Sequence, residues 1–451
     1  MSEYLFVSDS VAPLGRGEAA KSVRGLARGL IELKHRVTIL TLATSEDAGR
    51  IPGLARRLRK ARVETSEGPQ EFGLFEGQFS ASDPQLLVLE AAPANTAEAA
   101  VYLGGAVASL TQDGLLKPEV VVGWDEASVV ALARCGAAAK LFVLPQGESS
   151  LRFDALQAKQ VGLAPGDNAA LAAFGAAAAQ AVIAPTRSAA KHLEASADLS
   201  VRPSDEPIVA VPFGADEPPF DPANDPALPA PFDAANPAGR LESRKALLKR
   251  LSLTADPRVP LLGTGPRLEG TGGAALIGAL EGIGRRDVVV VLPAAGDRAL
   301  VERAAVFAIE HPTKIALLQE PTEEDYRLML AACDAWWLLD EQDVTGREAG
   351  RALRYGALPL LSERSSAADT LVEWDALSRT GNAFFFRDLS SAALEATVAR
   401  VSSMKSDAAR WNALQSRLLA TAPGWKRAAM LIDGLRSAAA EEADLQSVAL
   451  P

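Results

Sequence analysis

Short apolar runs alternate with helix-like patterns along most of the chain. Residues 4–7 form an apolar run, residues 18–33 carry apolar side chains at helical spacing, and residues 37–42 form a second apolar run. This order predicts a strand, a helix and a second strand, which together make one βαβ unit. Further buried strands are predicted at 118–124, 140–147, 181–186, 259–265, 287–293, 314–320, 334–340 and 357–362. The alternation predicts an α/β fold with parallel sheets and helices on both faces.

The pattern breaks once, at residues 214–239, where prolines recur every few positions. Proline lacks the backbone donor that a helix or a central strand requires. We therefore predict two doubly wound domains, residues 1–213 and 240–424, joined by a Pro-rich linker over 214–239. Ligands of such folds bind outside the carboxyl ends of the strands, so a cleft between the two domains is the expected place for a site.

Composition narrows the functional classes. The 451 residues are 48% hydrophobic and 23% charged, with a formal net charge of −11. A chain this acidic lacks the basic face that nucleic acid or an anionic membrane needs, so neither is expected as a partner. The first residues are not those of a signal peptide, and no apolar run approaches the roughly 18 residues of a membrane span. We expect a cytoplasmic protein.

Two cysteines, Cys135 and Cys333, are far apart in apolar surroundings. Reduced core packing explains them better than a disulfide or a metal site does. We predict no metal site and no cofactor.

A glycine-containing loop follows the first predicted strand and leads into the first predicted helix. It reads "APLGRGEAAKS", and its candidate phosphate-binding residues are Gly15, Arg16 and Gly17. The N-terminus of a helix presents free amide groups to an anion, and glycines allow close approach. Arg16 has an alternative, which is to pair with Asp9 and Glu18.

Several segments resemble the bacterial glycogen and starch synthases. "YLFVSDSVAPLGRG" is similar to their opening strand and Lys-Thr-Gly-Gly-Leu loop, and "KPEVVVGWDEASVVALA" stands where they have Pro-Asp-Ile-Val-His-x-His-Asp-Trp-His. "ALRYGALPLL" resembles their Leu-Arg-Tyr-Gly-x-x-Pro run. The resemblance implies the GT-B architecture, in which two Rossmann-like domains face an inter-domain cleft. It also implies that residues 425–451 form a C-terminal helix that returns to the first domain, since Trp425 matches a tryptophan of that helix.

The activity that the resemblance implies is glucosyl transfer from ADP- or UDP-glucose to the end of an α-1,4-glucan, with retained configuration. The matched positions give Asp343 and Arg267 as candidate catalytic residues. The implied nucleotide-sugar site consists of Gly15, Arg16, Gly17, Arg267, Gly272, Gly273, Thr345 and Gly346.

Many of the glycine, lysine and histidine residues in the family's motifs are replaced in this chain. Glu18 and Ala19 stand where the family has Gly-Gly, and Gly272 stands at a lysine position. The motif histidines become Val122, Trp124 and Ala127. A departing nucleoside diphosphate is stabilised by cations and by backbone amide groups that no side chain covers. These replacements therefore predict a catalytically impaired protein that acts as a binding or regulatory partner. Its expected ligands are a nucleotide sugar or a glucan, and a protein partner is also expected.

Two other interpretations stay open. The chain could be an active glycosyltransferase with an altered donor, whose rebuilt site uses Arg16, Arg267 and Asp343. Alternatively, Gly15, Gly17 and Ala20 could be a G-x-G-x-x-A dinucleotide fingerprint.

Each candidate in the second half also has a plainer structural explanation. Arg267 could form a surface salt bridge, and residues 340–343, "DEQD", could be a solvated acidic loop. Gly272 and Gly273 could lie in an ordinary loop. Trp336 and Trp337 are predicted as core residues rather than as a platform for a sugar ring.

Overall fold

A computed structural model of the chain describes residues 1–15, 17–145, 151–163, 170–201, 208–216, 218–340 and 344–448, with the side chains of 200–201 and 438–448 excepted. The chain divides into two compact units. The first comprises Met1–Gly214 and Gly424–Pro451, and the second comprises Ala215–Pro423.

The first unit is an α/β unit. Its strands are β1 Glu3–Val7, β2 Arg36–Ala43, β3 Leu54–Thr65, β4 Gly68–Gly77, β5 Gln85–Glu90, β6 Val120–Trp124, β7 Ala139–Val143, β8 Ala181–Ala184 and β9 Val209–Ala210. Its helices are α1 Glu18–Glu32, α2 Ser45–Gly49, α3 Thr96–Gln112, α4 Val129–Arg134, α5 Ala155–Gln160, α6 Leu171–Ala178 and α7 Arg187–Glu194, with short 3₁₀ turns at Glu126–Ser128 and Asp198–Val201.

The second unit has the same alternation. Its strands are β10 Leu261–Thr264, β11 Val289–Pro293, β12 Ile315–Leu318, β13 Ala335–Leu338, β14 Leu358–Ser362 and β15 Phe384–Phe386. Its helices are α8 Gly239–Arg250, α9 Gly270–Gly284, α10 Arg298–Glu310, α11 Glu323–Ala332, α12 Arg347–Arg354, α13 Ser391–Lys405 and α14 Ala408–Thr421, with a 3₁₀ turn at Ser366–Thr370. A last helix, α15 Trp425–Val448, belongs to the first unit.

The first sheet has the strand order β3-β4-β5-β2-β1-β6-β7-β8-β9. Strands β5 to β9 in this order are parallel, as the alternating pattern predicts. At one edge, β4 runs antiparallel to β5 and forms a hairpin with β3. Sequence reasoning missed this hairpin because β3 reads as a polar run, "LARRLRKARVET", whose first residues are mostly exposed.

The second sheet, ordered β12-β11-β10-β13-β14-β15, is parallel throughout. In each sheet the strand order reverses beside the first strand, between β1 and β6 in one and between β10 and β13 in the other. The loops that follow the two strands at such a switch point lead to opposite faces of the sheet and leave a crevice between them. The candidate residues lie in the loops at these two switch points.

Each unit has its own apolar core. In the second unit Trp336 and Trp337 are fully buried on β13, as predicted, and Cys333 is buried with them. Cys135 is buried in the first unit, and both thiols are free. No helix within the described residues is long and apolar enough to cross a membrane.

Candidate functional site

The loop after β1 folds back on itself and leads into α1. The Gly15 N–H donates to the carbonyl of Val11 at 2.8 Å, and the Ser8 hydroxyl donates to the carbonyl of Ser10 at 2.9 Å. A β-carbon on Gly15 would overlap the hydroxyl of Ser10. Gly15 is therefore required by the packing of the loop itself, and its amide is already used.

The N-terminus of α1 carries a carboxylate. Gly17 is the N-cap residue, with open space where a side chain would stand, and Glu18 follows it in the first turn. Glu18 is exposed and lies 3.5 Å from the ammonium of Lys21. A negative side chain here offsets the positive end of the helix, which is the feature that would otherwise attract a phosphate. Arg16, the predicted cation of this loop, lies outside the described residues.

Two further carboxyl groups flank the same switch point. Asp9 follows β1, and Asp125 follows β6, where its Oδ1 accepts a hydrogen bond from the Glu126 N–H at 2.9 Å. The Asp9 side chain is partly exposed to solvent, and partial desolvation by the surrounding protein raises its pKa. Desolvation also raises the pKa of Asp125, and the negative charge of Asp9 adds to that effect. The described residues at this switch point therefore include two carboxyl groups that are costly to ionise.

Sequence reasoning did not single out Asp125. The available signal was the aspartate of the His-x-His-Asp-Trp-His motif, which Asp125 preserves although the histidines around it are replaced. Trp124, at one of those histidine positions, is fully buried and stacks at 5.3 Å from the ring of Phe213. Trp124 is therefore a core residue and cannot take the acid–base role of a histidine.

In the second unit, Arg267 lies in the loop after β10. Its Nε donates to Oε2 of Glu269 at 2.9 Å, and both side chains are more than half exposed. The structure thus shows the surface salt bridge that was the plainer alternative. An exposed pair of this kind contributes about 0–1 kcal/mol, so Arg267 can still turn to another anion.

The two candidate glycines in the first turn of α9, Gly272 and Gly273, serve packing. A β-carbon on Gly272 would overlap the backbone carbonyl of Leu339, and one on Gly273 would lie 3.0 Å from Cδ1 of Leu300. Both glycines are buried within the first turn of the helix. The Gly270 N–H donates to Oδ2 of Asp297 at 3.1 Å, so a carboxylate already lies at this helix N-terminus.

Helix α12 begins on the other side of the same switch point. Gly346 is its N-cap residue with φ +63°, a left-handed conformation that glycine adopts without strain, and the Thr345 hydroxyl accepts from the Arg347 N–H at 3.3 Å. Glu348, in the first turn, accepts a hydrogen bond from the buried indole N–H of Trp336 at 3.0 Å. A β-carbon on Gly265, just after β10, would lie 2.6 Å from Glu348 Oε1. The carboxylate therefore faces the crevice between β10 and β13.

The structure brings Arg267 and the α9 and α12 N-termini to one edge of the second sheet, and Gly15 and Gly17 to the matching edge of the first. Asp343 lies outside the described residues. The chain's three histidines lie elsewhere: His35 precedes β2, His192 is in α7 and His311 ends α10. Over the described ranges, no cluster of His, Cys, Asp and Glu side chains is suited to hold a metal ion.

Comparison with known proteins supports the sequence-based resemblance. A glycogen synthase of Anaeromyxobacter dehalogenans is 31% identical over 242 residues, which are 53% of this chain and 50% of that protein. One from Syntrophotalea carbinolica is 29% identical over 218 residues, which are 48% of this chain and 45% of that protein. The match thus spans about half the length of these curated relatives. No family model matches the chain.

Solved structures match the fold over nearly the whole chain. The catalytic domain of starch synthase IV from Arabidopsis thaliana, bound to ADP and acarbose, matches with a TM-score of 0.77 at 17% identity, covering 98% of this chain and 99% of that one. HepE from Anabaena, in complex with UDP, matches with a TM-score of 0.59 at 12% identity, covering 97% and 100%. The predicted resemblance and the fold class are confirmed: the chain is similar in sequence to glycogen synthases and has the GT-B fold of its structural neighbours, a starch synthase among them.

Proposed function

We propose that this protein keeps the glycogen-synthase-like fold but does not catalyse glucosyl transfer at an appreciable rate, and that it acts in the cytoplasm as a binding or regulatory protein. Its ligand would be a weakly held nucleotide sugar or a glucan. A partner protein would then respond to that bound state.

The proposal rests on the chemistry of the leaving group. Transfer of glucose from ADP- or UDP-glucose releases a nucleoside diphosphate, whose developing charge must be balanced. Without a metal, the balance comes from Lys, Arg and the positive ends of helices. One charge-assisted contact contributes about 1.5–3 kcal/mol, and losing one transition-state donor lowers the rate about 10²- to 10³-fold.

One observation carries the proposal: helix N-termini that point to the two switch points already hold carboxylates of the chain itself. Glu18 lies in the first turn of α1, Asp297 accepts the first amide of α9, and Glu348 lies in the first turn of α12. A diphosphate would have to approach each helix end beside a negative charge. At 4 Å, such a repulsion amounts to about 1 kcal/mol in bulk water and about 4 kcal/mol near a protein surface.

Arg267 does not compensate for the negative charge of these carboxylates. Its exposed pair with Glu269 is easily broken, but the carboxylate remains in the same loop when the guanidinium turns to a phosphate. In the first unit, Asp9 and Asp125 add negative charge beside the β1–α1 loop. Desolvation raises the pKa of both carboxyls, so each holds its proton more tightly than a free aspartate does.

The test has two parts. Incorporation of labelled glucose from ADP-glucose and UDP-glucose into glycogen should not exceed the no-enzyme background, and calorimetry should show weak binding of ADP and UDP. The double variant Glu269→Gln and Glu348→Gln should then bind ADP about tenfold or more tightly, because two charges are removed and both amides can still accept hydrogen bonds.

The matched control is Glu281→Gln. Glu281 is an exposed carboxylate on α9 that pairs with Arg285 in the C-terminal half of the helix. Its replacement should leave ADP binding unchanged. Steady glucose transfer by the wild-type chain would overturn the proposal, and an unchanged ADP affinity in the double variant would show that these carboxylates do not control binding.

A further inference from the structure

A cavity of about 490 Å³ lies at the amino-terminal edge of the second sheet. It is lined by residues of α8, by Asp334 just before β13, by Lys405 at the end of α13 and by residues 411–416 in the middle of α14. The switch-point residues of β10 and β13 lie at the opposite, carboxyl ends of the same strands. The cavity is therefore a separate place from the candidate site.

Its charged lining is unbalanced. The ionisable residues that line the cavity are Arg240, Arg244, Lys405 and Asp334, which gives three cations and one carboxylate. Arg244 Nη1 donates to Asp334 Oδ2 at 2.8 Å, and the Lys405 ammonium is paired with Asp334 Oδ1. Asp334 Oδ2 also accepts from the Leu261 N–H at 2.8 Å. One carboxylate is thus shared by two cations, while Arg240 has no carboxylate partner among the residues that line the cavity.

These cations are buried, which makes the surplus charge costly. Arg240 is 6% exposed, and its Nη2 donates to the carbonyl of Cys333 at 2.6 Å. Its Nε and Nη1 atoms are buried and have no hydrogen-bond partner among the residues that the structure describes. Burial lowers the pKa of Arg240 to about 10 and also lowers the pKa of Lys405, and the negative charge of Asp334 offsets only part of the effect on each group. An uncompensated charge in such surroundings is stabilised by a counter-ion.

We propose that this cavity binds the phosphate group of a small anion, either free phosphate or a phosphate monoester. A phosphate dianion matches the two surplus positive charges, and Arg and Lys are the side chains that recognise it best. The cavity is much larger than one phosphate group and has Trp411 on one wall, with Asn412, Gln415 and Ser416 supplying polar groups. That remaining space suits the organic part of a monoester.

The inference goes beyond the proposed function, because the cavity lies at the amino-terminal edge of the second sheet and the candidate nucleotide-sugar site lies at the carboxyl-terminal edge. Calorimetry of the full chain with sodium phosphate and with glycerol phosphate, at constant ionic strength, should show saturable binding. Lys405→Gln should weaken it about tenfold or more, since the ammonium is lost while an amide can still donate to Asp334. Tighter binding of the ester than of free phosphate would assign the organic part to the cavity, and equal binding would assign free phosphate.

A second variant protects the test from a folding defect. Asn412 is exposed at the cavity, so Asn412→Asp should fold normally and weaken phosphate binding severalfold through its added negative charge. The matched control is Lys245→Gln on the same helix as Arg240 and Arg244, an exposed lysine paired with Glu242 that should have no effect. Phosphate binding that neither Lys405→Gln nor Asn412→Asp weakens would overturn the proposal, as would no binding by the wild-type chain.

Discussion

Asp125 combines an unusual backbone conformation with a perturbed carboxyl group. Its φ of +62° with ψ near 180° is one that few side chains adopt, and Asp and Asn tolerate positive φ better than most. Its pKa is raised first by desolvation and then by the negative charge of Asp9. Both features place local strain and charge at the switch point of the first sheet, where function would be expected.

Asp125→Asn should stabilise the protein at neutral pH. A carboxyl whose folded-state pKa is raised holds its proton more tightly in the folded state, so stability is lost as the pH rises through that pKa. The amide cannot ionise and still accepts the Glu126 N–H. We expect a Tm a few °C above that of the wild type at pH 7, with the difference vanishing below about pH 4, the usual range of an aspartate.

Calorimetric scans from pH 7 to pH 3.5 would measure this difference. Asp113→Asn, at an exposed carboxylate after α3, is the control and should give the wild-type curve at each pH. A variant less stable than the wild type at pH 7 would show that the charge of Asp125 stabilises the fold.

Among the elements, α1 and α15 pack unusually closely. Gly25 and Gly29 lie on the face of α1 against Trp425, and a β-carbon on Gly25 would overlap the indole ring. Trp425 in turn stacks at 5.6 Å from Phe213. The glycines therefore allow the terminal helix to approach the first one, and the tryptophan fills the space that they leave.

Gly25→Ala should destabilise the first unit by about 1–3 kcal/mol, because the added methyl group forces the indole or the helix to move. Gly434→Ala on α15 is the matched change with the opposite expectation. Apart from its own helix backbone, nothing in the described part of the chain lies within 4 Å of its β-carbon position, so the higher helix propensity of alanine should add about 0.5–1 kcal/mol. Urea unfolding followed by fluorescence would measure both, and equal effects of the two substitutions would contradict the close-packing explanation.

The segment predicted as an inter-domain linker is packed against the second unit over its described residues from 218 onward. Phe220 and Phe232 are buried in that unit's core, and Arg351 stacks at 3.8 Å over the Phe220 ring. Asp225 accepts hydrogen bonds from Arg327 Nε at 3.0 Å and from the Tyr355 hydroxyl at 2.5 Å. Aromatic residues and ion pairs between the prolines fix the segment.

Asp225→Ala should lower the free energy of unfolding of the second unit by about 3–5 kcal/mol, because it leaves the buried Arg327 guanidinium without its main counter-charge. Asp221→Ala removes a half-exposed pair with Arg354 on the same segment and should cost about 1 kcal/mol or less. Denaturant unfolding would compare the two variants. Similar losses for both would mean that burial does not determine the strength of these pairs.

At the scale of the whole molecule, the chain leaves the first unit at Gly214 and re-enters it at Gly424. Trp425, Ala428, Ala429 and Ile432 are buried in the core of the first unit, far in sequence from the strands around them. The second unit, by contrast, is continuous in sequence and has a separate core. The two units therefore differ in their dependence on the C-terminal residues.

Ending the chain after Pro423 should destabilise the first unit selectively. Loss of α15 exposes the apolar face of α1, including the surface around Gly25, whereas the second unit loses none of its own core. Hydrogen exchange measured by mass spectrometry should show faster exchange in α1 and β1 and unchanged protection in β10 and β13. Equal loss of protection in both units would contradict the separation of the cores.

The sequence by itself determined the architecture of this protein: its apolar runs are continuous because parallel strands are buried on both faces, and prolines mark the passage from one unit to the next. The β3–β4 hairpin was not predictable from this pattern, because its charged exposed face hides the alternation. Only the tertiary structure decided the character of the candidate site. In the second unit Glu348 lies beside Gly265 and Asp297 accepts a hydrogen bond from Gly270, and in the first unit Asp125 lies near Asp9. The two residues of each pair follow different strands and come together only because those strands end at the same edge of their sheet. Electrostatic effects depend on this distance in space and not on distance along the chain.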